Sequence, residues 1–334
     1  MNVLVTGGSS LIGSGLTAAL AERGDDVRTF QRTPPTSVHD RVEHVAGDVT
    51  DPDALAAAVD GCDAVVHLAA KVGIVGTRAE FHAINVAGTA NVIAAAVGAG
   101  VSRFVHVSSP SVAHGGDSIV GGAAEPAIFD HGTAWYPATK ALAEKIALEA
   151  ASPTLGVVVI RPHLVWGPGD TQLVGRIVDR ARTGRLALVG GGTALVDTTY
   201  IDNAVSALAA ALDAVAPAAQ CSGRAYVVAN GEPRPIRELI EGICAAAGVD
   251  AEPRVVPLGV AKVAGSVIER VWPTLGKDEE PPLTRFLAEQ LGTAHWFDQR
   301  SVRDDLDWAP SVTIDEGLRR LAAWFGEQRR TDDG

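Results

Sequence analysis

The chain has 334 residues, and 47% of them are hydrophobic, ample for a large core and inconsistent with disorder as the main state. A formal net charge of −12 leaves nothing to neutralise a row of phosphates, which argues against a nucleic-acid partner. Cys62, Cys221 and Cys244 are scattered, form no C-x-x-C pair and adjoin no histidine cluster, so they read as reduced thiols of a cytoplasmic protein without a metal.

The chain opens on a strand-like run, Val3-Leu4-Val5, with no basic segment and apolar core of a secretory leader. Strand patterns lie at 2–6, 26–30, 42–46, 64–68, 104–107 and 157–160, alternating with helical patterns at 11–23, 53–59, 80–97 and 134–150. Strands separated by helices of this size imply right-handed crossovers, and their Val/Ile/Leu content suits burial on both faces. The fold class is therefore α/β, a doubly wound parallel sheet of Rossmann type.

After Arg161 the texture changes. Gly167-Pro168-Gly169 and Gly190-Gly191-Gly192 punctuate the chain, Pro becomes frequent from 217 to 282, and helical patterns return at 236–247 and 313–325. We expect a dinucleotide-binding domain over 1–168 that takes in parts of 195–230, and a smaller, partly discontinuous C-terminal substrate domain over 169–330. The apolar stretch 255–275 is broken by Pro257, Lys262, Glu269, Arg270 and Pro273, short of the ~20 uncharged residues of a bilayer span. It reads as a buried or lid helix, with docking to a membrane surface or a partner as the alternative.

The first turn after a strand reads Thr6-Gly7-Gly8-Ser9-Ser10-Leu11-Ile12-Gly13. Small residues there let the backbone turn tightly and bring a helix N-terminus to a pyrophosphate. The second strand ends Phe30-Gln31-Arg32. An NAD site usually places an acid there for the ribose hydroxyls; Arg32 instead offers a planar cation suited to a 2′-phosphate. NADP(H) is thus preferred, with NAD(H) left open.

Trp135-Tyr136-Pro137-Ala138-Thr139-Lys140 places Tyr136 and Lys140 four residues apart, on one face of a helix. Pro137 fits only a first helical turn, so Tyr136 stands near the helix start. A free tyrosine has a pKa near ~10. A neighbouring ammonium and the positive charge of the nicotinamide are expected to lower it toward useful acid–base work. Arg103-Phe104-Val105-His106-Val107-Ser108-Ser109-Pro110-Ser111-Val112 ends a strand in hydroxyls, which point into the crevice where such sheets bind ligands.

These motifs together resemble the extended short-chain dehydrogenases/reductases, over essentially the whole chain. The loop matches that family's T-G-x-x-G-x-x-G except at Ser10; His67-Leu68-Ala69-Ala70, Asn85-Val86-Ala87-Gly88-Thr89-Ala90-Asn91 and Arg161-Pro162-His163-Leu164-Val165-Trp166-Gly167-Pro168 match three more of its signatures. The resemblance implies that Gly7, Ser9, Ser10, Leu11, Ile12, Gly13, Arg32, Leu68, Ala69 and Ala70 line the cofactor. It implies further that Asp48 meets the adenine amino group, that Val49 packs on the ring, and that Pro162 and Val165 meet the nicotinamide amide. Ser109 is chosen to hold the substrate oxygen, with Ser108 and Ser111 as runners-up; Tyr136 and Lys140 complete the catalytic set and also touch the cofactor. His67 reads as structural. His114 and His163 lie where the family lines its substrate pocket, and their roles stay open.

Dehydratases of this family carry Thr-Asp-Glu beside the serine; Ser109-Pro110-Ser111 has no carboxylate, which argues against dehydration. Val196-Asp197-Thr198-Thr199-Tyr200-Ile201-Asp202-Asn203 and the segment 284–296 resemble the 3β-hydroxysteroid dehydrogenase branch, and within it bacterial reductases of 2-alkyl-3-oxoalkanoates from olefin synthesis. That resemblance implies an oxidoreductase acting on CH–OH groups, a hydrophobic β-keto acid substrate, companion enzymes of that pathway, and a homodimer through the 80–97 and 134–150 helices. A hydroxysteroid dehydrogenase, a sugar-nucleotide epimerase and a non-enzymatic dinucleotide sensor are the alternatives.

Overall fold

The computed structural model describes residues 1–34, 39–73, 75–132, 134–272 and 283–332. Its main sheet has seven strands, in the order Arg224–Val228, Gly156–Pro162, β5 (Arg103–Val107), β4 (Ala64–His67), β1 (Asn2–Thr6), β2 (Asp26–Gln31) and β3 (Val42–Ala46). All neighbours pair in parallel. The chain builds outward from β1 to β3, then returns to lay β4 and β5 on the other side. The reversal between β1 and β4 opens a crevice at the carboxyl ends of the strands. Six strands follow the sequence pattern; the seventh, Arg224–Val228, comes from a Gly- and Pro-rich region and completes the sheet's edge.

Alternation along each strand feeds a core on both faces. Val3 and Val5 pack with Leu16 and Leu20 of α1 (Leu11–Glu22) and with Leu208 and Ala211 of the helix Ile201–Ala214. Leu4 points the other way, toward Leu55 of α2 (Pro52–Val59), Val92 and Ala147. The helical run Arg78–Gly98 has the length and mean hydropathy of a bilayer span, yet Phe81, Val86, Val92 and Ala96 are buried against the protein. Its middle, His82–Ala87, is a π-helical turn.

Outside the main sheet, four short strands (Arg234–Pro235, Leu195–Val196, His295–Phe297, Ile119–Gly122) form a second one. The helix Leu258–Val271 packs closely on the start of Arg285–Gly292, because a Cβ on Gly265 would lie 2.4 Å from the Thr284 carbonyl carbon. Of the expected buried or lid helix at 255–275, the buried reading is corrected. Only Ala261 and Gly265 of the helix are buried, while Val260, Val263, Val267 and Val271 are exposed. Small residues make the contact face, so the valines are left outside; residues 273–275 lie outside the described ones.

One buried ion pair ties the helix Trp135–Glu149 to the sheet. Arg161 donates from Nε to Glu144 at 2.9 Å and from Nη2 to the other carboxylate oxygen, with both side chains 2% exposed. A third bond runs from Arg161 to the Glu125 carbonyl at 2.8 Å. Charges buried this deeply are tolerable only together. Glu144→Gln strands the guanidinium and is expected to cost about 3–5 kcal/mol in urea unfolding, whereas Glu144→Leu combined with Arg161→Met costs far less. A loss below about 1 kcal/mol in the single variant contradicts this reading.

Candidate active site

β1 ends at Thr6, and the chain turns through Gly7, whose φ is +73°. A Cβ on Gly7 would stand 2.9 Å from the Ala69 nitrogen, and one on Gly13 would stand 2.3 Å from the Gly7 oxygen, so neither position accepts a side chain. Ser10 needs no such freedom, with φ at −71°. Its hydroxyl donates to the Gly7 carbonyl at 2.9 Å and accepts from the Gly13 amide at 3.1 Å, closing the loop and capping α1. Ser9 is exposed, and Leu11 and Ile12 are half-buried beside it.

Under this loop lies a run of hydrogen bonds. Thr6 Oγ1 accepts from the Ala69 amide at 3.2 Å and bonds His67 Nδ1 at 2.7 Å. His67 Nε2 meets Thr89 Oγ1 at 2.9 Å, and Thr89 spends its own proton on the Asn85 carbonyl at 2.7 Å. His67 therefore donates from Nε2 and accepts at Nδ1. Burial holds its pKa down at about 3, so it is a neutral brace that fixes Leu68, Ala69 and Ala70 against Gly7.

At the far end of the crevice Gln31 closes β2, buried, with neither amide atom partnered. Arg32 is exposed, its Nε 3.9 Å from Asp48. Asp48 accepts from the Thr50 amide at 2.9 Å and hydroxyl at 2.8 Å, which holds its carboxyl below the usual range. Val49 is buried; Asn91 donates to its carbonyl at 3.1 Å, and Gly88 leaves it room, since a Cβ there would come within 2.7 Å. An unpartnered buried amide and a glycine cradle that a Cβ would fill are features a bound dinucleotide satisfies, so the residues fit that cofactor. Gln31 was missed in the sequence; its signal was its position at the end of β2. On the substrate side, Pro162 ends its strand and Val165 pairs with Thr199. Leu164 between them has φ +42°, a left-handed conformation that costs an L-residue about 1 kcal/mol or more.

Three serines end β5, and the structure separates their roles. Ser109 Oγ accepts from the Ser111 amide at 3.2 Å and hydroxyl at 2.9 Å. That leaves its own proton free, and the Ser109 hydroxyl is near enough to Tyr136 to pull the phenol's pKa down. Ser111 supports Ser109, and Ser108 is buried with an unpartnered hydroxyl. Lys140 is buried and donates to the Val107 carbonyl at 2.6 Å. Burial draws its pKa down to about 8, against the pull of Glu144 one turn away.

The Tyr136 phenol of the chain alone is governed by its surroundings rather than by Lys140. Burial raises it above 10, the Ser109 hydrogen bond opposes the rise, and the ammonium is engaged with Val107. The phenol is protonated at neutral pH, the state of a proton donor. Asn85, also missed as a site residue, clamps the chain around this pair. It bonds both the amide (2.7 Å) and the carbonyl (3.0 Å) of Lys71 and donates to Thr139 at 3.0 Å. A 480 Å³ cavity lined by Asn2, Arg28, Glu43 and Cys62 lies at the amino edge of the sheet, away from this chemistry.

A glycine cradle and a Ser-Tyr-Lys set at the carboxyl edge of a parallel sheet define a nicotinamide-dependent oxidoreductase acting on CH–OH groups. Residues 4–258 match the 3-beta hydroxysteroid dehydrogenase/isomerase family, and the chain belongs to that family. It is 47% identical to a 2-alkyl-3-oxoalkanoate reductase of Stenotrophomonas maltophilia, over 97% of this chain and 99% of the relative. A protein of the same description from Shewanella oneidensis is 37% identical over 96% of this chain and 86% of the relative. The epimerase Mth375 of Methanothermobacter thermautotrophicus has the same fold, with a TM-score of 0.78, 24% identity, and 99% and 93% of the two chains covered.

Tyr136→Phe removes the proton and little else. It is expected to bind the dinucleotide as the parent does, by fluorescence titration, while kcat falls about 100-fold or more. Parent-like turnover in that variant removes Tyr136 from the chemistry.

Proposed function

We propose that this protein is an NADP(H)-dependent reductase that converts the C3 ketone of a long-chain 2-alkyl-3-oxoalkanoate into the 3-hydroxy acid. The observation that carries the reading is the Ser109, Tyr136 and Lys140 set at the carboxyl end of β5, with Lys140 anchored on the Val107 carbonyl and the Ser109 hydroxyl held by Ser111. The two relatives described as 2-alkyl-3-oxoalkanoate reductases support the substrate class. Arg32, with its side chain 76% exposed, and a β2 that ends in Gln31 rather than an acid support NADP(H).

When bound, the reduced nicotinamide supplies the hydride. Ser109 turns its proton to the substrate carbonyl and holds the oxygen in place. Tyr136 gives its proton to that oxygen as it becomes an alcohol. Lys140, anchored on Val107, orients the cofactor ribose. With this reading go a homodimer through the helices Arg78–Gly98 and Trp135–Glu149, where Val97 and Leu142 are exposed, and companion enzymes of olefin synthesis in the cytoplasm.

Following reduced-cofactor absorbance with a 2-alkyl-3-oxo acid tests the proposal. NADPH is expected to give the higher kcat/KM, and Arg32→Ala to cut its advantage over NADH roughly tenfold, the worth of a charge-assisted phosphate contact. A clear NADH preference overturns the cofactor assignment, and faster turnover of a ketosteroid or nucleotide sugar overturns the substrate.

A further inference from the structure

Three histidines from distant parts of the chain meet near the Ser109 turn. His114 caps that turn, its amide bonded to the Ser111 carbonyl at 3.3 Å; His163 follows Pro162 at the carboxyl end of its strand; His295 comes from the second sheet. The His114 and His295 rings meet edge-on with centroids 4.7 Å apart, and His163 lies 5.9 Å from His295. All three are 5% exposed or less. Among the described residues no group is arranged to hold a metal ion.

The ring nitrogens are under-used. His163 donates from Nδ1 to the Asp197 carbonyl at 2.5 Å. His295 Nε2 meets Thr293, whose proton goes to the Glu289 carbonyl, so this nitrogen donates and Nδ1 is left without a partner. Both nitrogens of His114 are buried and unpartnered. Buried polar atoms without partners are uncommon in a folded protein and call for a ligand or water to complete them.

The charges around the cluster do not complete it. His114 faces Glu289 of the helix Arg285–Gly292, Lys262 of Leu258–Val271, Asp117 on its own loop, and His131. Glu289 is bound by Lys262 at 3.3 Å and Arg285 at 3.0 Å, and Asp117 is exposed. His163 faces His114, His295, the Phe297 ring and the Asp197 carbonyl, and His295 faces His114, His163 and Thr293; the Asp197 carboxyl is taken up by the Gly231 and Glu232 amides. Burial and this mutual proximity keep the rings neutral when nothing is bound.

We propose that His114, His163 and His295 form the subsite for the substrate's carboxylate, and that the cluster takes up one proton as the anion enters. The inference rests on the proposed β-keto acid reading and adds the group that distinguishes such an acid from a plain ketone. An arriving carboxylate supplies the counter-charge the cluster lacks, so protonation and binding reinforce each other. His114, with both nitrogens free and Ser109 five residues before it, is the ring best placed to carry the proton.

Two measurements test this. In steady-state reduction, KM for the 2-alkyl-3-oxo acid should rise with pH, approaching about tenfold per unit for one coupled proton, while KM for the ketone of the same skeleton without the carboxylate stays flat. His114→Gln should lower the preference for acid over ketone roughly tenfold to a hundredfold, the worth of a hydrogen bond to a charged group. Calorimetry with a non-reducible 2-alkyl fatty acid, in buffers of different ionisation enthalpy, should read uptake of one proton in the parent and none in His114→Gln. Equal pH profiles for acid and ketone, an unchanged preference in the variant, or fatty-acid binding without proton uptake overturns the carboxylate subsite. Proton-coupled fatty-acid binding without reduction of any 3-oxo acid keeps the subsite and overturns the proposed reaction.

Discussion

Desolvation of the half-buried Tyr136 and the buried Lys140 on one helical turn sets the conditions for everything else at this site. Desolvation disfavours the charged form of each group, raising the phenol's pKa and lowering the ammonium's to about 8. An enzyme that must hand a proton to a new alkoxide benefits from the first shift. The second makes Lys140 dependent on its surroundings, and the Val107 carbonyl and Glu144 supply them. Glu144 in turn is held by Arg161, which begins the segment leading to Pro162, His163 and Val165. The ion pair that braces the helix thus also conditions the lysine next to it.

A second thread joins the cofactor cradle to the catalytic helix. Thr6, His67 and Thr89 link β1, β4 and the helical run Arg78–Gly98, and Asn85 passes the connection to Thr139, next to Lys140. The π-helical turn at His82–Ala87 is where Asn85 sits, buried, with its side chain facing both Lys71 and Thr139. A glycine loop and a Tyr-Lys pair carry no fixed distance to one another in sequence. Short, buried polar bonds between threonines, a histidine and an asparagine hold the elements that bear them.

Much of this was legible in the residues. Six strands, the Gly7–Gly13 loop and the Tyr136–Lys140 spacing all rest on local periodicity or on contacts within one turn, which a sequence records directly. The remainder depended on long-range packing. Arg224–Val228 is a strand because Gly156–Pro162 offers it an edge. Leu258–Val271 leaves its valines outside because two small residues suffice for its contact face. Ser109 was chosen from the resemblance, but that Ser111 supports it comes from the turn that Ser109 caps. The three histidines were visible singly, but only the second sheet brings His295 to His114. The nearness of Lys140 to Tyr136 was legible, but the burial of Lys140 was not.

The protein has three tyrosines, so carbon-13 labelling of the phenol carbons gives three resonances that can be followed through a pH titration, with Tyr136→Phe assigning the one that matters. The account predicts that in the free protein the Tyr136 phenol stays protonated through neutrality and titrates above 10. A midpoint near neutral pH would contradict it, for it would mean that the ammonium, not burial, governs this site.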